Sequence, residues 1–214
     1  KRFPLPNQER STAAAALYDS AHMEEILKTE PLVVDLYRHR TEQRKFHVKI
    51  IHSGPPVPLS ELMPRLENMG VRVQSEVPYE VQPRGAEHPV RIRDFSLDPE
   101  GMQDDLRAVK EKFQEAFIRV WHRQAENDGY NRLVLGAELE WHEIVVLRAY
   151  AKYMRQIGLN LSEAYIQQTL ANNASIVRQI IQLFTTHFDP QLGAAAMHGE
   201  SPASPTVSGR QLAA

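Results

Sequence analysis

The pair His142-Glu143 opens the helix-forming stretch WHEIVVLRAYAKYMRQIG and matches the first half of a zinc-protease motif. In H-E-x-x-H helices, two imidazoles four residues apart share one face and bind zinc, while the glutamate acts as general base. The residue four positions after His142 is Val146, which cannot ligate a metal. The spacing therefore excludes this zinc chemistry. The pair is interpreted as a helix N-terminal turn, with Glu143 near the positive end of the helix dipole.

Other residues with catalytic potential are few. His47 and His52 flank a predicted strand, but their odd separation places them on opposite faces, so a shared metal is not expected. The glycines show neither G-x-G-x-x-G nor P-loop spacing, and the chain has no cysteine. No catalytic, cofactor-binding or metal-binding residue is therefore assigned.

The segment HSGPPVP, residues 52–58, carries a ligand hypothesis. It joins a predicted strand to a helix N-terminus, where free backbone N–H groups can receive a carboxylate. Gly54 would allow a ligand to approach closely, and the three prolines would stiffen the loop. One interpretation is an effector loop formed by His52, Ser53, Gly54 and Ser60. The alternative is a tight connection that binds nothing.

Three basic residues, Arg148, Lys152 and Arg155, follow one another at helical spacing and share one helix face. One interpretation is a solvated face opposite the apolar stripe of the same helix. The other is an interdomain docking face that contacts an acidic patch on a neighbouring domain.

The composition limits the classes of partner. A chain of 214 residues with 42% hydrophobic content can form one ordinary domain or two small ones. A net charge of −2 gives no electrostatic reason to expect nucleic acid or an anionic membrane as partner. No apolar run approaches the ~18 residues of a membrane span, and the N-terminus lacks the apolar block of a signal peptide. We therefore expect a cytoplasmic protein.

The first half of the chain alternates helix and strand patterns after a polar lead-in, residues 1–10. A helix is predicted from Ser11 until Pro31 ends it. A second helix covers 60–69, with Ser60 as N-cap, Pro64 in the first turn and Gly70 as C-cap. Period-two and β-branched patterns predict four strands, at 32–37, 46–51, 71–81 and 90–95.

The resulting order α-β-β-α-β-β is the ferredoxin-like order β-α-β-β-α-β begun at its second helix. In that fold, strand 90–95 lies between 46–51 and 71–81, and 32–37 forms the far edge. Pro78 agrees with this topology, because a proline cannot donate to a central ladder and so requires an edge strand. We predict an α+β fold with a permuted ferredoxin-like sandwich over residues 11–101.

After Gly101 the periodicity is helical only, which predicts an all-α segment over residues 102–192. The tail, residues 193–214, is small and polar and is predicted to be disordered. The predicted helices cover 104–125, 141–158, 162–170 and 176–188.

Three blocks of this sequence resemble one enzyme family. PLSELMPRLENMGVRVQSEVPYEV, GYNRLVLGAELEWHEIVVLRAYAKYMRQIG and IQLFTTHFDP, within residues 32–190, resemble the N-terminal region of the large NAD-dependent glutamate dehydrogenases of bacteria. In that family this region contains ACT-like modules, which are ferredoxin-like folds that often sense amino acids, and a helical section before the dehydrogenase domain. The resemblance implies that residues 11–101 form an ACT-like domain.

The resemblance also implies a parent reaction, the oxidative deamination of L-glutamate to 2-oxoglutarate and ammonium with NAD as hydride acceptor. It places no catalytic or NAD-binding residue on this chain, because those belong to a later region of the family. It implies a regulatory and assembly segment whose partners are the parent's catalytic domain, an amino-acid effector and further copies in a homo-oligomer. The alternative is a free-standing ACT-type amino-acid-binding module.

Overall fold

A computed structural model of the chain describes residues 32–38, 46–83, 87–98 and 106–188. The predicted lead-in, the first predicted helix and the predicted tail lie outside these residues. The described strands are β1 (Leu32–Arg38), β2 (Phe46–Ser53), β3 (Val73–Val81) and β4 (Val90–Leu97).

The strands form one sheet in the order β1-β2-β4-β3, and every neighbouring pair is antiparallel. Since β2 and β3 both run antiparallel to β4, they run parallel to each other, and helix α1 (Leu59–Asn68) connects them. Pro78 lies in the edge strand β3, opposite Arg93. The predicted topology and the α+β class are therefore confirmed.

Helix α1 packs its apolar stripe on one face of the sheet. Leu62, Leu66 and Met69 are fully buried, in one cluster with β2 and β4 residues such as Val48 and Phe95. The opposite face holds a smaller cluster of Ile51, Val90 and Ile92. The alternation of side chains along β2 and β4 thus supplies both faces.

The start of α1 differs from the prediction. The helix begins at Leu59, and the residue before it, Pro58, is extended with φ −61° and ψ 148°. Ser60 already belongs to the first turn, so it is not the N-cap, and no side chain caps this helix. Pro64 lies beyond the first turn, so the i to i−4 bond to Ser60 is missing. The predicted C-terminal role of Gly70 is confirmed by its φ of +86°.

The second half is helical, as predicted. Ser162 caps its helix as predicted, since its Oγ accepts from the Tyr165 N–H at 3.2 Å. A short 3-10 turn at Gly129–Arg132 follows the second helix and was not predicted. The helices are α2 (Arg107–Trp121), α3 (Leu133–Gly136), α4 (Trp141–Gln156), α5 (Glu163–Asn172) and α6 (Ala174–Phe188).

The helical half and the sheet share one hydrophobic core. A single cluster of buried residues extends from Leu36 and Ile50 in the sheet to Phe117, Val134 and Ile181 in the helices. The division between residues 101 and 102 stays a prediction. No helix of the described residues is long and apolar enough to cross a lipid bilayer.

Helix α2 lies along the sheet edge formed by β1. Gln114 Nε2 donates to the Val34 carbonyl oxygen at 2.6 Å, and Lys110 Nζ lies 2.6 Å from Asp35 Oδ1. A side chain thus occupies a backbone acceptor that an edge strand would otherwise leave open.

Candidate functional site

The loop between β2 and α1 is held by its carbonyl oxygens. Arg91 donates to the Gly54 carbonyl, and Arg93 Nη2 donates to the Val57 carbonyl at 2.8 Å. Gly54 has φ +114°, and a Cβ there would meet nothing within 4 Å. The backbone conformation rather than the available space therefore favours glycine at this position.

The two arginines are also paired with carboxylates of the edge strand. Arg91 Nε lies 3.2 Å from Glu80 Oε2, and Arg93 Nη1 lies 3.2 Å from Glu76 Oε1. The loop therefore rests on guanidinium groups that β3 already neutralises. An anion that enters here would compete with these two glutamates.

His52 lies beneath this loop and is only 2% exposed. Its ring is 5.6 Å from that of Trp121, and its Nε2 has no hydrogen-bond partner among the described residues. Burial lowers the pKa of His52 to about 4, and the nearby charges of Arg91 and Arg93 act in the same direction. His52 is therefore neutral at pH 7.

The structure brings three of the four predicted loop residues together. His52, Ser53 and Gly54 are consecutive at the end of β2, whereas Ser60 is exposed in the first turn of α1. Arg91 and Arg93 were not predicted as part of this site. Their alternation in VRIRDF, which puts both on one strand face, was the available signal. The effector role of the loop stays a prediction.

The basic helix face differs from the expectation in one residue. Arg148 is 4% exposed, so it lies inside the molecule and not on a solvated or docking surface. Its Nε donates to Asp128 Oδ2 at 2.7 Å, and its Nη2 donates to Asp128 Oδ1 at 2.9 Å. Nη2 also lies 3.2 Å from Asn131 Oδ1. This bidentate arrangement explains why a cation can be buried here.

The other two basic residues are half-exposed and have acidic partners within the chain. Lys152 Nζ lies 2.7 Å from Glu126 Oε1, and Arg155 Nη1 lies 2.6 Å from Glu163 Oε2. The hydrogen bond from Lys152 lowers the pKa of Glu126. A docking role for Lys152 and Arg155 stays a prediction.

The segment 126–132, which Arg148 holds, is a junction between the two halves. Asn68 at the end of α1 donates from Nδ2 to Asn127 Oδ1 at 3.1 Å. A Cβ on Gly129 would lie 2.5 Å from Oε1 of Gln167 in α5. The segment therefore contacts α1, α4 and α5. Its Asn-Asp-Gly sequence by itself indicates only a helix break, so these contacts were not predicted.

The His142-Glu143 pair forms a helix start, as predicted. The Glu140 N–H donates to Glu143 Oε2 at 2.8 Å, which is half of a capping box. His142 is exposed, and its Nδ1 lies 3.4 Å from Glu140 Oε2. Among the described residues, no three or more His, Asp or Glu side chains are grouped so that they could hold a metal ion.

Known proteins resemble both halves of the chain. Residues 31–109 match the glutamate dehydrogenase ACT3 domain, and residues 125–190 match the glutamate dehydrogenase helical motif 3.

Three relatives are each described as an NAD-specific glutamate dehydrogenase. The chain is 40% identical to that of Halomonas elongata over 190 residues, which are 88% of this chain and 12% of the relative. It is 37% identical to that of Pseudomonas aeruginosa over 191 residues, again 88% and 12%. For Mycobacterium tuberculosis the identity is 34% over 209 residues, 94% of this chain and 13% of the relative.

The chain thus spans about 12% of the length of these relatives, and it matches an N-terminal part of them. The two matched regions together cover most of the described residues. The chain therefore belongs to the glutamate dehydrogenase family, with residues 31–109 as its ACT3 domain and residues 125–190 as its helical motif 3.

Proposed function

We propose that this chain is a regulatory and assembly segment of a cytoplasmic, homo-oligomeric NAD-dependent glutamate dehydrogenase. The parent enzyme would convert L-glutamate, NAD and water to 2-oxoglutarate, ammonium and NADH. The catalytic domain of the same polypeptide would bind NAD and carry the reaction. The observation that carries this proposal is the match of both halves to non-overlapping parts of one enzyme family.

The contacts of the junction suggest how regulation would work. The loop that follows Gly54 leads directly into α1, and Asn68 at the end of α1 contacts Asn127. The neighbouring Asp128 holds Arg148 of α4. A ligand that shifted α1 would therefore act on α4 through a continuous chain of polar contacts, which is a physical route for coupling.

The experiment compares NADH formation by this 214-residue chain and by the full-length polypeptide that contains it, with glutamate and NAD as substrates. We expect turnover by the full-length enzyme alone. Glutamate-dependent NADH formation by the 214-residue chain would contradict the non-catalytic role. Failure of the full-length polypeptide to oxidise glutamate would contradict the parent reaction.

The second hypothesis is a free-standing ACT-type module that binds an amino acid at the loop. The observation that favours it is the pair Arg91 and Arg93 beside Gly54, since guanidinium groups recognise carboxylates. Thermal unfolding of the 214-residue chain with a panel of amino acids tests it. Binding at the loop predicts stabilisation that Gly54→Val abolishes.

Gly158→Val is the matched control for that experiment. Gly158 has φ +100° and, like Gly54, no atom within 4 Å of the point where a Cβ would lie, so both variants introduce a similar backbone strain. Loss of stabilisation in both variants would indicate a general effect of strain. No stabilisation by any amino acid would remove support for a free-standing sensor.

A further inference from the structure

Helix α6 leaves most of its apolar surface uncovered. It buries Val177 and Ile181, while Ile180 is 41%, Leu183 60% and Phe188 65% exposed. Its sequence, ASIVRQIIQLFTTHF, contains Arg178 as its only Lys, Arg, Asp or Glu. A helix with so few charges and so much exposed apolar surface is typical of a buried position.

Helix α4 continues this surface. Tyr150 is 44%, Met154 36% and Ile157 65% exposed, although these residues form the apolar stripe that the sequence predicts for burial. The rings of Tyr150 and Phe184 meet edge to face, with centroids 6.1 Å apart, so the stripes of the two helices are in contact. We name Tyr150, Met154, Ile157, Ile180, Leu183 and Phe188 the α4–α6 apolar face.

The α4–α6 apolar face is large enough for a specific protein contact. Its six side chains together expose on the order of 500 Å² of largely apolar surface, which approaches the ~800 Å² that each partner buries in a standard interface. No Lys, Arg, Asp or Glu belongs to this face, so its partner should be an apolar protein surface rather than a charged ligand or nucleic acid.

We propose that the α4–α6 apolar face is the surface through which helical motif 3 packs against a later part of the same dehydrogenase polypeptide. This inference rests on the proposed function. The relatives carry these residues in an N-terminal part of a chain of which this sequence spans 12%, so their polypeptide continues after α6. A partner in the same polypeptide has a high effective concentration and needs no strong intrinsic affinity.

A second copy of this chain is the competing occupant, and the test separates the two. Hydrogen exchange of the α6 amides is measured in the 214-residue chain and in the full-length polypeptide. We expect α6 exchange to be at least ten-fold slower in the full-length protein, and the 214-residue chain to be a monomer by light scattering.

Leu183→Lys probes the face, and Leu59→Lys is the control, because Leu59 is 44% exposed on α1 and lies outside the face. In the full-length protein, Leu183→Lys should restore fast exchange in α6, while Leu59→Lys should not. Unchanged exchange in β2 and β4 would show that the fold is intact.

Two results would overturn the inference. Equal α6 exchange in the two proteins would show that no later part of the polypeptide covers the face. A dimer of the 214-residue chain that Leu183→Lys dissociates, with no additional protection in the full-length protein, would assign the face to a second copy. These results do not depend on NADH formation, so they are separate from a failure of the proposed reaction.

Discussion

Removal of Asp128 should destabilise this protein more than removal of its partner Arg148. The two side chains form a bidentate ion pair with N–O distances of 2.7 and 2.9 Å. Arg148 is 5% exposed at its side chain, whereas Asp128 is 21% exposed. Asp128→Ala therefore leaves a buried cation behind, but Arg148→Met leaves a carboxylate that water can reach.

The expected magnitudes follow from this asymmetry. Removing one partner of a buried ion pair costs about 3–5 kcal/mol. Because Arg148 keeps Asn131 at 3.2 Å and Glu126 at 3.0 Å, Asp128→Ala should lie near the lower limit, about 3 kcal/mol. Arg148→Met should cost about 1–2 kcal/mol, since Asp128 still accepts the Tyr130 N–H at 3.1 Å.

Urea unfolding, followed by tryptophan fluorescence and circular dichroism together, measures these free energies if the two transitions coincide. The double variant Asp128→Ala/Arg148→Met should be more stable than Asp128→Ala alone, because it buries no unpaired charge. Lys152→Met is the control, since Lys152 and Glu126 are about half exposed and their pair should contribute less than about 1 kcal/mol. An Arg148→Met variant that is less stable than Asp128→Ala would refute the asymmetry.

Three further predictions concern single residues. The unfolded chain protonates His52 near pH 6.5 and the folded chain near pH 4, so stability should fall by about 2 kcal/mol from pH 7 to 5 relative to His52→Gln; equal pH profiles of the urea midpoint would contradict this. Gly70→Ala should cost about 1–2 kcal/mol, because its φ is +86° and its Cβ would contact Arg132 at 3.5 Å; an unchanged melting temperature would exclude this strain. Gln114→Met should cost about 1 kcal/mol and speed exchange in β1, because the Val34 carbonyl loses its 2.6 Å hydrogen bond; faster exchange in β3 instead would contradict the edge assignment.

The sheet topology was predictable because several independent features of the sequence agree on it. Alternation in β3 fixed which residues face the core, and Pro78 restricted that strand to an edge. The start of α1 was less predictable, because Pro58 and Ser60 both favour a helix N-terminus and local preference does not decide between them.

The environment of charged side chains could not be read from helical spacing. Arg148 and Lys152 are one turn apart, yet the first is buried against Asp128 and the second is half-exposed. The difference arises because segment 126–132 packs beside the first residue, and this contact depends on tertiary structure. For the same reason the partners of the predicted loop, Arg91 and Arg93, became evident only with the register of β4 against β2.

The two edges of the sheet direct attention to the helices as the assembly surface. At β1, Gln114 occupies the Val34 carbonyl and α2 lies alongside the strand. At β3, Pro78 removes a donor, and Glu80 adds a largely exposed charge, both of which disfavour pairing with another strand. Side-by-side joining of sheets is therefore unfavourable at either edge. The α4–α6 apolar face has no comparable obstacle, because its exposed residues are uncharged and already packed into one continuous surface at Tyr150 and Phe184.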